Sequence, residues 1–159
     1  MFRCWVMRVF AQTAALRLDL AELQRATRSY FDATLEVLGR EQPELRADQR
    51  DHVELFLDCE RYRYSGAFSI RTRQTVESDW ADARLAEQNG RAAGMATLAA
   101  RCPTIWEVDP IGEDSEPARL NLCAILAAVA LGPVLPDDHG TLFGVRGAME
   151  RVERWLRAK

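Results

Sequence analysis

Apolar side chains recur every three or four residues along much of this chain, the spacing that places them on one face of a helix. The longest example lies between residues 18 and 39, where Asp19 can cap the first turn and Gly39 ends the pattern. We therefore predict a helix from about residue 18 to 39. Its seam consists of Leu16, Leu20, Leu23, Thr27, Tyr30, Thr34 and Val37.

The same spacing predicts two further helices in the middle of the chain. One begins near Asp48, after Pro43 has interrupted the first helix, and runs to about Tyr64. The next begins near Ser78, where acidic residues complement the positive end of the helix dipole, and runs to Pro103. Its many alanines and glycines allow a neighbouring helix to approach closely.

Proline and glycine delimit the elements of the last third of the chain. The sequence TIWEVDP is typical of a short extended stretch, so we expect β-structure at residues 104 to 108. Pro117 suits the first turn of a helix from about residue 117 to 131, which Gly132 and Pro133 stop. A last amphipathic helix is predicted from about Val145.

The first 15 residues form a candidate amphipathic helix at the N-terminus. Apolar and aromatic side chains share one side of it, namely Phe2, Trp5, Val9 and Phe10, while arginines lie on other sides. Such a stripe covers the protein's own core, contacts a partner subunit, or lies in a membrane surface. We take these four residues as the candidate partner-binding surface.

Residues 60 to 74, ERYRYSGAFSIRTRQ, concentrate arginine and aromatic side chains. One interpretation is helical or irregular chain, in which each arginine meets a nearby acid. The other is a β-hairpin with its loop at residues 65 to 67, which would group the arginines on one face and demand a counter-charge. That hairpin makes a candidate site for an anion or a nucleic acid from Arg61, Arg63, Arg71 and Arg73.

Three carboxylates in the second predicted helix form a candidate metal site. Asp51, Glu54 and Asp58 are spaced i, i+3, i+7, so a helix would present all three on one side. Carboxylates from a second helix, such as Glu22 or Asp32, could complete an oxygen-rich site for a divalent metal. A solvated acidic helix face explains the same spacing, and both interpretations stay open.

Charge is unevenly distributed over the 159 residues, whose net formal charge is −3. Residues 1 to 17 carry three arginines and no acid, and residues 146 to 159 carry five basic and two acidic side chains. The intervening residues hold 13 basic and 22 acidic side chains. Two basic ends therefore flank an acidic body, which favours head-to-tail association or packing of the ends across that body.

Several functional classes lack their signatures in this sequence. The four cysteines are widely separated, with no CxxC pair, and are expected to be reduced thiols in a cytoplasmic protein. The longest apolar run, from Leu122 to Pro136, is too short and too interrupted to cross a bilayer. We find no nucleophile elbow and no nucleotide-binding loop.

These observations predict a single domain over residues 1 to 159, a mainly α, compact bundle of five or six helices. Any β-structure would be confined to residues 61 to 73, as one short hairpin, and to residues 104 to 108. Arginine and alanine usage favours a GC-rich bacterium as the source. We expect a small non-enzymatic binding, assembly or adaptor protein without a cofactor, which engages another protein or a copy of itself. The alternatives are a metal-dependent helical-bundle enzyme and a protein that binds an anion or nucleic acid.

Overall fold

The computed structural model describes residues 6–38, 49–90 and 93–158, with only the backbone for residues 49 and 50. The strands are β1 (Met7–Ala11), β2 (Leu18–Asp19), β3 (Thr34–Val37), β4 (Gln49–Arg50), β5 (His52–Cys59), β6 (Tyr64–Gln74), β7 (Thr104–Ile111) and β8 (Val134–Leu135). The helices are α1 (Leu20–Tyr30), α2 (Glu77–Asn89), α3 (Met95–Ala99), α4 (Glu116–Ala130) and α5 (Val145–Arg157).

Six of these strands form one antiparallel sheet in the order β3-β5-β6-β7-β1-β8, and β2 pairs separately with β4. The prediction of a mainly helical bundle is therefore wrong, because the fold is mixed α/β with helices packed on a large sheet. The errors lie in the segments where two-residue alternation was taken for helical spacing. In β5, Val53, Leu55 and Leu57 are buried and their neighbours are more exposed, which is the pattern of a half-buried strand.

The arginine-rich segment illustrates the same error. Residues 64 to 74 are one long strand, β6, which pairs with β5 on one side and β7 on the other. The chain turns at residues 60 to 63, so both the helical interpretation and the hairpin centred on residues 65 to 67 are wrong. At the N-terminus, β1 replaces the described part of the predicted amphipathic helix, whose first five residues lie outside the described ranges.

Three of the predicted helices are present, whereas the described part of the helix expected from Asp48 to Tyr64 contains strands β4 and β5. Asp19 caps α1 by accepting from the Glu22 backbone N–H at 3.1 Å, although the helix ends at Tyr30 rather than near residue 39. A proline lies in the first turn of α4, and α5 begins at Val145 as expected. The long third helix is instead two shorter ones, which the indole N–H of Trp80 links by donating to the Ala99 carbonyl at 3.0 Å.

The main core lies between one face of the sheet and helices α1, α4 and α5. Helix α4 is buried along most of its length because it contacts β1, β5 and β6 below it and helices α1 and α5 beside it. Gly132, directly after this helix, allows β8 to approach β1, because a Cβ there would overlap the Phe10 carbonyl oxygen. The Phe10 N–H donates to the Pro133 carbonyl at 2.9 Å across this contact.

Helices α2 and α3 cover only part of the opposite face of the sheet. A second, smaller core joins them to Phe10, Ile105 and Leu135, which point away from the main core. The remainder of this face, over β3, β5, β6 and the end of β7, carries side chains that are partly or fully exposed. The sheet therefore has one covered face and one face that is half open.

Candidate functional site

The open half of the sheet presents an acidic surface built from four strands. We call it the acidic face and define it by six residues whose side chains alternate with buried ones. The acidic face consists of Glu36, Glu54, Phe56, Asp58, Ser69 and Asp109. The strand register determines which of these residues are neighbours. Ser69 on β6 lies between Glu54 on β5 and Asp109 on β7, and Glu36 on β3 lies opposite Phe56 on β5.

Strand geometry sets the spacing of the carboxylates on the acidic face. Neighbouring strands lie about 5 Å apart, so Glu54 and Asp109, two strands apart, are separated by roughly 10 Å between their Cα atoms. Glu54 and Asp58 are four residues apart along β5, which is roughly 13 Å. Glu36, Glu54 and Asp58 are therefore the charged neighbours of Phe56, while Asp109 lies on the same face two strands away, across β6 from Glu54.

None of these four carboxylates forms an ion pair with another residue in the described ranges. Phe56, at the centre, is only half-buried although it is a large aromatic residue. His52 lies at one margin, where its Nε2 is 2.9 Å from the Ser69 hydroxyl oxygen. The arrangement offers a negative rim beside an apolar residue, and the His52–Ser69 contact at its margin is the one place on this face where the described residues bring a base and a hydroxyl together.

A tightly paired charge cluster borders the acidic face where α2 meets the sheet. The buried Asp79 carboxylate accepts from Arg73 Nη1 and Nη2 at 2.7 and 2.8 Å and from Arg8 Nη1 at 2.9 Å. It also accepts from the Val76 N–H at 2.9 Å, and Arg73 Nε donates to Glu107 at 3.0 Å. The hydrogen bond with Asp79 is the main reason that the pKa of Arg73 is raised.

His139 completes this cluster from the loop between β8 and α5. Its Nε2 lies 3.0 Å from Arg8 Nη2, and because a guanidinium only donates, this contact is a hydrogen bond in which Nε2 accepts. A cavity of about 260 Å³ opens beside it, lined by Arg8, Arg73, Glu107 and Asp137 among others. Arg8 and Arg73 already pair with carboxylates, so neither is left free to bind an anionic ligand. The cluster instead holds β1, β6 and α2 together.

The structure separates the residues of the predicted metal site. Glu54 and Asp58 point to the acidic face. Asp51 precedes β5 and is an odd number of residues from both, so an extended chain directs its side chain away from theirs. Within residues 6–38, 49–90 and 93–158, no group of three or more His, Cys, Asp or Glu side chains is arranged to hold a metal ion. The helix on which that prediction depended is a strand.

The four arginines of the predicted anion site are likewise spread along the chain. Arg73 is bound in the Asp79 cluster, and Arg71 lies on the open face beside His52 and Glu107. Arg61 and Arg63 lie in the turn at the other end of β6, more than about 20 Å away along an extended strand. Arg61 lies over the Tyr62 ring there, 5.2 Å from its centroid.

The predicted partner-binding residues fall into two groups. Phe2 and Trp5 lie outside the described residues. Val9 and Phe10 are fully buried in β1, where Val9 joins the main core and Phe10 joins the smaller one. These two residues therefore contribute to the protein's own core.

The described cysteines are buried and have free thiols, namely Cys59, Cys102 and Cys123. Burial raises the pKa of the Cys102 thiol to about 11. Although Cys102 directly precedes a proline, its thiol is buried and is not a ready nucleophile. Burial also raises the pKa of the Cys123 thiol to about 12, against the opposing effect of Arg119.

Comparison with family models, curated proteins and solved structures found no match to this chain. No helix in the described part of the chain is long and apolar enough to cross a membrane.

The acidic face could have been anticipated only in part from the sequence. In β5, His52, Glu54 and Asp58 alternate with Val53, Leu55 and Leu57, and this alternation assigns the polar residues to one face. The contributions of Glu36 and Asp109 depend on strand pairing between distant segments, which the sequence pattern does not give.

Proposed function

We propose that this protein is a small non-enzymatic binding protein that contacts a positively charged surface of a partner protein through its acidic face. The observation that carries the proposal is the group of four carboxylates that share one sheet face with the half-buried Phe56 and have no ion-pair partner among the described residues. Repulsion between those carboxylates is relieved when lysine or arginine side chains dock against them.

The composition of the acidic face supports the same proposal. Protein interfaces combine an apolar, often aromatic, centre with a polar rim, and Phe56 with Glu36, Glu54 and Asp58 beside it has part of that layout. The face lies on regular strands, so its side chains are held in place before the partner arrives. The acidic body of the chain also attracts a basic partner over a longer range and accelerates the encounter.

The location and the partner are part of the proposal. Buried free thiols at Cys59, Cys102 and Cys123 support a cytoplasmic location, where cysteines remain reduced. The partner is another protein with a basic surface. A second copy of this chain, docking its arginine-rich α5, is the competing occupant that the experiment distinguishes.

The test is a capture experiment with matched variants. The chain is immobilised, proteins retained from a lysate of its native host are identified, and the retained protein is purified for affinity measurement. We expect Glu54→Gln with Asp109→Asn to weaken binding by about tenfold or more, since each contact to a charged group contributes about 1.5–3 kcal/mol. Phe56→Ala should weaken it by a similar factor.

The control removes two negative charges from the helical side of the molecule. Glu22 on α1 and Glu153 on α5 are exposed, and the pair Glu22→Gln with Glu153→Gln should leave the affinity unchanged. Light scattering of the free chain shows whether the partner is a second copy. Equal weakening by both pairs of variants, or a retained partner without a basic surface, would contradict the proposal.

A further inference from the structure

A larger cavity, of about 510 Å³, lies on the helical side of the sheet between α4, α5 and the loop at residues 136 to 141. This volume is within the range of sites for small organic ligands. Three arginines from two helices line it, Arg119 from α4 and Arg151 and Arg154 from α5, and Trp155 contributes an aromatic wall. The acidic face lies on the opposite side of the sheet, so this cavity does not belong to the proposed protein contact.

Arg119 has a hydrogen-bond donor that the described protein atoms do not satisfy. Its side chain is only 13% exposed, and its Nε is buried without a hydrogen-bond partner in the described ranges. The nearest carboxylate oxygen, on Asp114, is 3.6 Å away, which is too far for a hydrogen bond. A buried guanidinium donor without an acceptor is unfavourable. Arg119 also lines the cavity, where an oxyanion would meet its positive charge.

Arg151 and Arg154 add two more cations one helical turn apart. The Arg151 guanidinium lies 4.2 Å from the centre of the Phe143 ring, and its Nη1 donates to the Gly147 carbonyl at 3.0 Å. Burial and the positive charge of Arg154 lower the pKa of Arg151. Arg154 itself forms no ion pair with a carboxylate in the part of the chain that the structure describes. A bound anion would offset the repulsion between these two side chains.

Carboxylates also line the cavity and narrow the class of ligand. Asp137 and Asp138 belong to the loop, and Glu116 begins α4, so the formal charge of the lining is balanced. One oxygen of Asp138 already accepts from the Gly140 N–H at 2.8 Å, whereas Asp137 has no hydrogen bond to a described residue. Such a lining discriminates against a bare anion and favours a molecule that also carries hydrogen-bond donors.

We propose that this cavity binds a small organic oxyanion, held by its phosphate or carboxylate group against Arg119, Arg151 and Arg154. Hydroxyl or amino groups of the same ligand donate to Asp137, and its carbon skeleton lies against Trp155. The guanidinium fork matches both phosphate and carboxylate, so the shared chemistry of these groups defines the site. This binding is independent of the proposed protein contact.

The test uses glycerol 3-phosphate and serine as probes, in which a phosphate or a carboxylate accompanies hydroxyl or amino donors. Titration calorimetry at matched ionic strength, with potassium chloride as the reference, should show saturable binding of at least one of them. Binding of the first alone identifies a phosphate ligand, and binding of the second alone identifies a carboxylate ligand.

Variants on α5 locate the binding. Arg154→Gln removes an exposed cavity arginine and should weaken binding by about tenfold, the effect of one lost charge-assisted hydrogen bond. Arg146→Gln lies on the same helix but outside the cavity, where Arg146 pairs with Glu150, and should leave the affinity unchanged. Neither change removes a buried side chain, and circular dichroism verifies the fold. The proposal is overturned if neither probe binds saturably, if Arg154→Gln binds as wild type does, or if Arg146→Gln weakens binding equally.

Discussion

Asp79 has the most completely paired carboxylate among the described residues. Its side chain is 1% exposed, Oδ1 accepts from Arg8 and Arg73, and Oδ2 accepts from Arg73 and from the Val76 N–H. The last bond belongs to the first turn of α2, so this one carboxylate joins a helix start to strands β1 and β6. Breaking it leaves two guanidinium groups without their buried counter-charge.

We therefore expect Asp79→Asn to lower the free energy of unfolding at neutral pH by about 3 kcal/mol or more, which is typical of one partner removed from a buried ion pair. Asp82→Asn is the matched control, because Asp82 also pairs with Arg8 but is 32% exposed. Its effect should be below about 1 kcal/mol. Urea unfolding measures both values, and equal losses in the two variants would contradict the role assigned to Asp79.

The same carboxylate predicts a pH dependence of stability. Burial raises the pKa of Asp79, but hydrogen bonds from Arg73, Val76 and Arg8 outweigh it and hold the pKa at about 2, against an ordinary value of 3.8. A pKa that is lower in the folded state stabilises the protein above the unfolded value, and this contribution disappears as the pH falls from about 4 towards 2.

The stability difference between wild type and Asp79→Asn should therefore shrink by about 2 kcal/mol between pH 6 and pH 2, since one pKa unit corresponds to about 1.4 kcal/mol. Urea unfolding of both proteins across this range gives the difference directly. A difference that stays constant with pH would show that the Asp79 carboxylate does not carry this stabilisation.

At the scale of elements, helices α1, α4 and α5 were predicted from local signals, whereas most strands were not; the extended stretch expected at residues 104 to 108 is strand β7. Asp19 as a cap, the proline in the first turn of α4 and the start of α5 at Val145 are recognised from neighbouring residues. In β5, by contrast, Phe56 lies on the open face, and its spacing from Val53 and Leu57 imitates a helix. Phe56, whose spacing led to the incorrect helix prediction, is also the apolar residue of the proposed contact surface.

The strand assignment makes a prediction for hydrogen exchange. β6 pairs with strands on both sides, whereas β8 has only two residues and β3 is paired within the main sheet to β5 alone. We expect the amides of β6 to open only through global unfolding, with free energies of about 5 kcal/mol or more, and those of β3 and β8 to exchange faster. Exchange from β6 as fast as from β8 would contradict this sheet order.

At the scale of the whole molecule, the two sides of the sheet carry different chemistry. Helices α4 and α5 on one side bring three arginines to a cavity, and strands on the other side expose four carboxylates on the face of Phe56, with Arg71 at the margin. Overall charge counts could not reveal this division, since Glu36 and Asp109 are 73 positions apart in the sequence and come to the same sheet face only through strand pairing. A basic partner on the acidic face leaves the arginine-lined cavity accessible.

The most direct test of this account is an NMR titration of the isotope-labelled protein with the purified basic partner. We predict that the largest amide shifts fall on β3, β5, β6 and the end of β7, centred on Phe56, and that they diminish as added salt screens the carboxylates. The Glu54→Gln, Asp109→Asn variant should show smaller shifts at the same positions. Shifts concentrated on α4 and α5, or scattered over both sides of the sheet, would contradict the assignment of the acidic face as the binding surface.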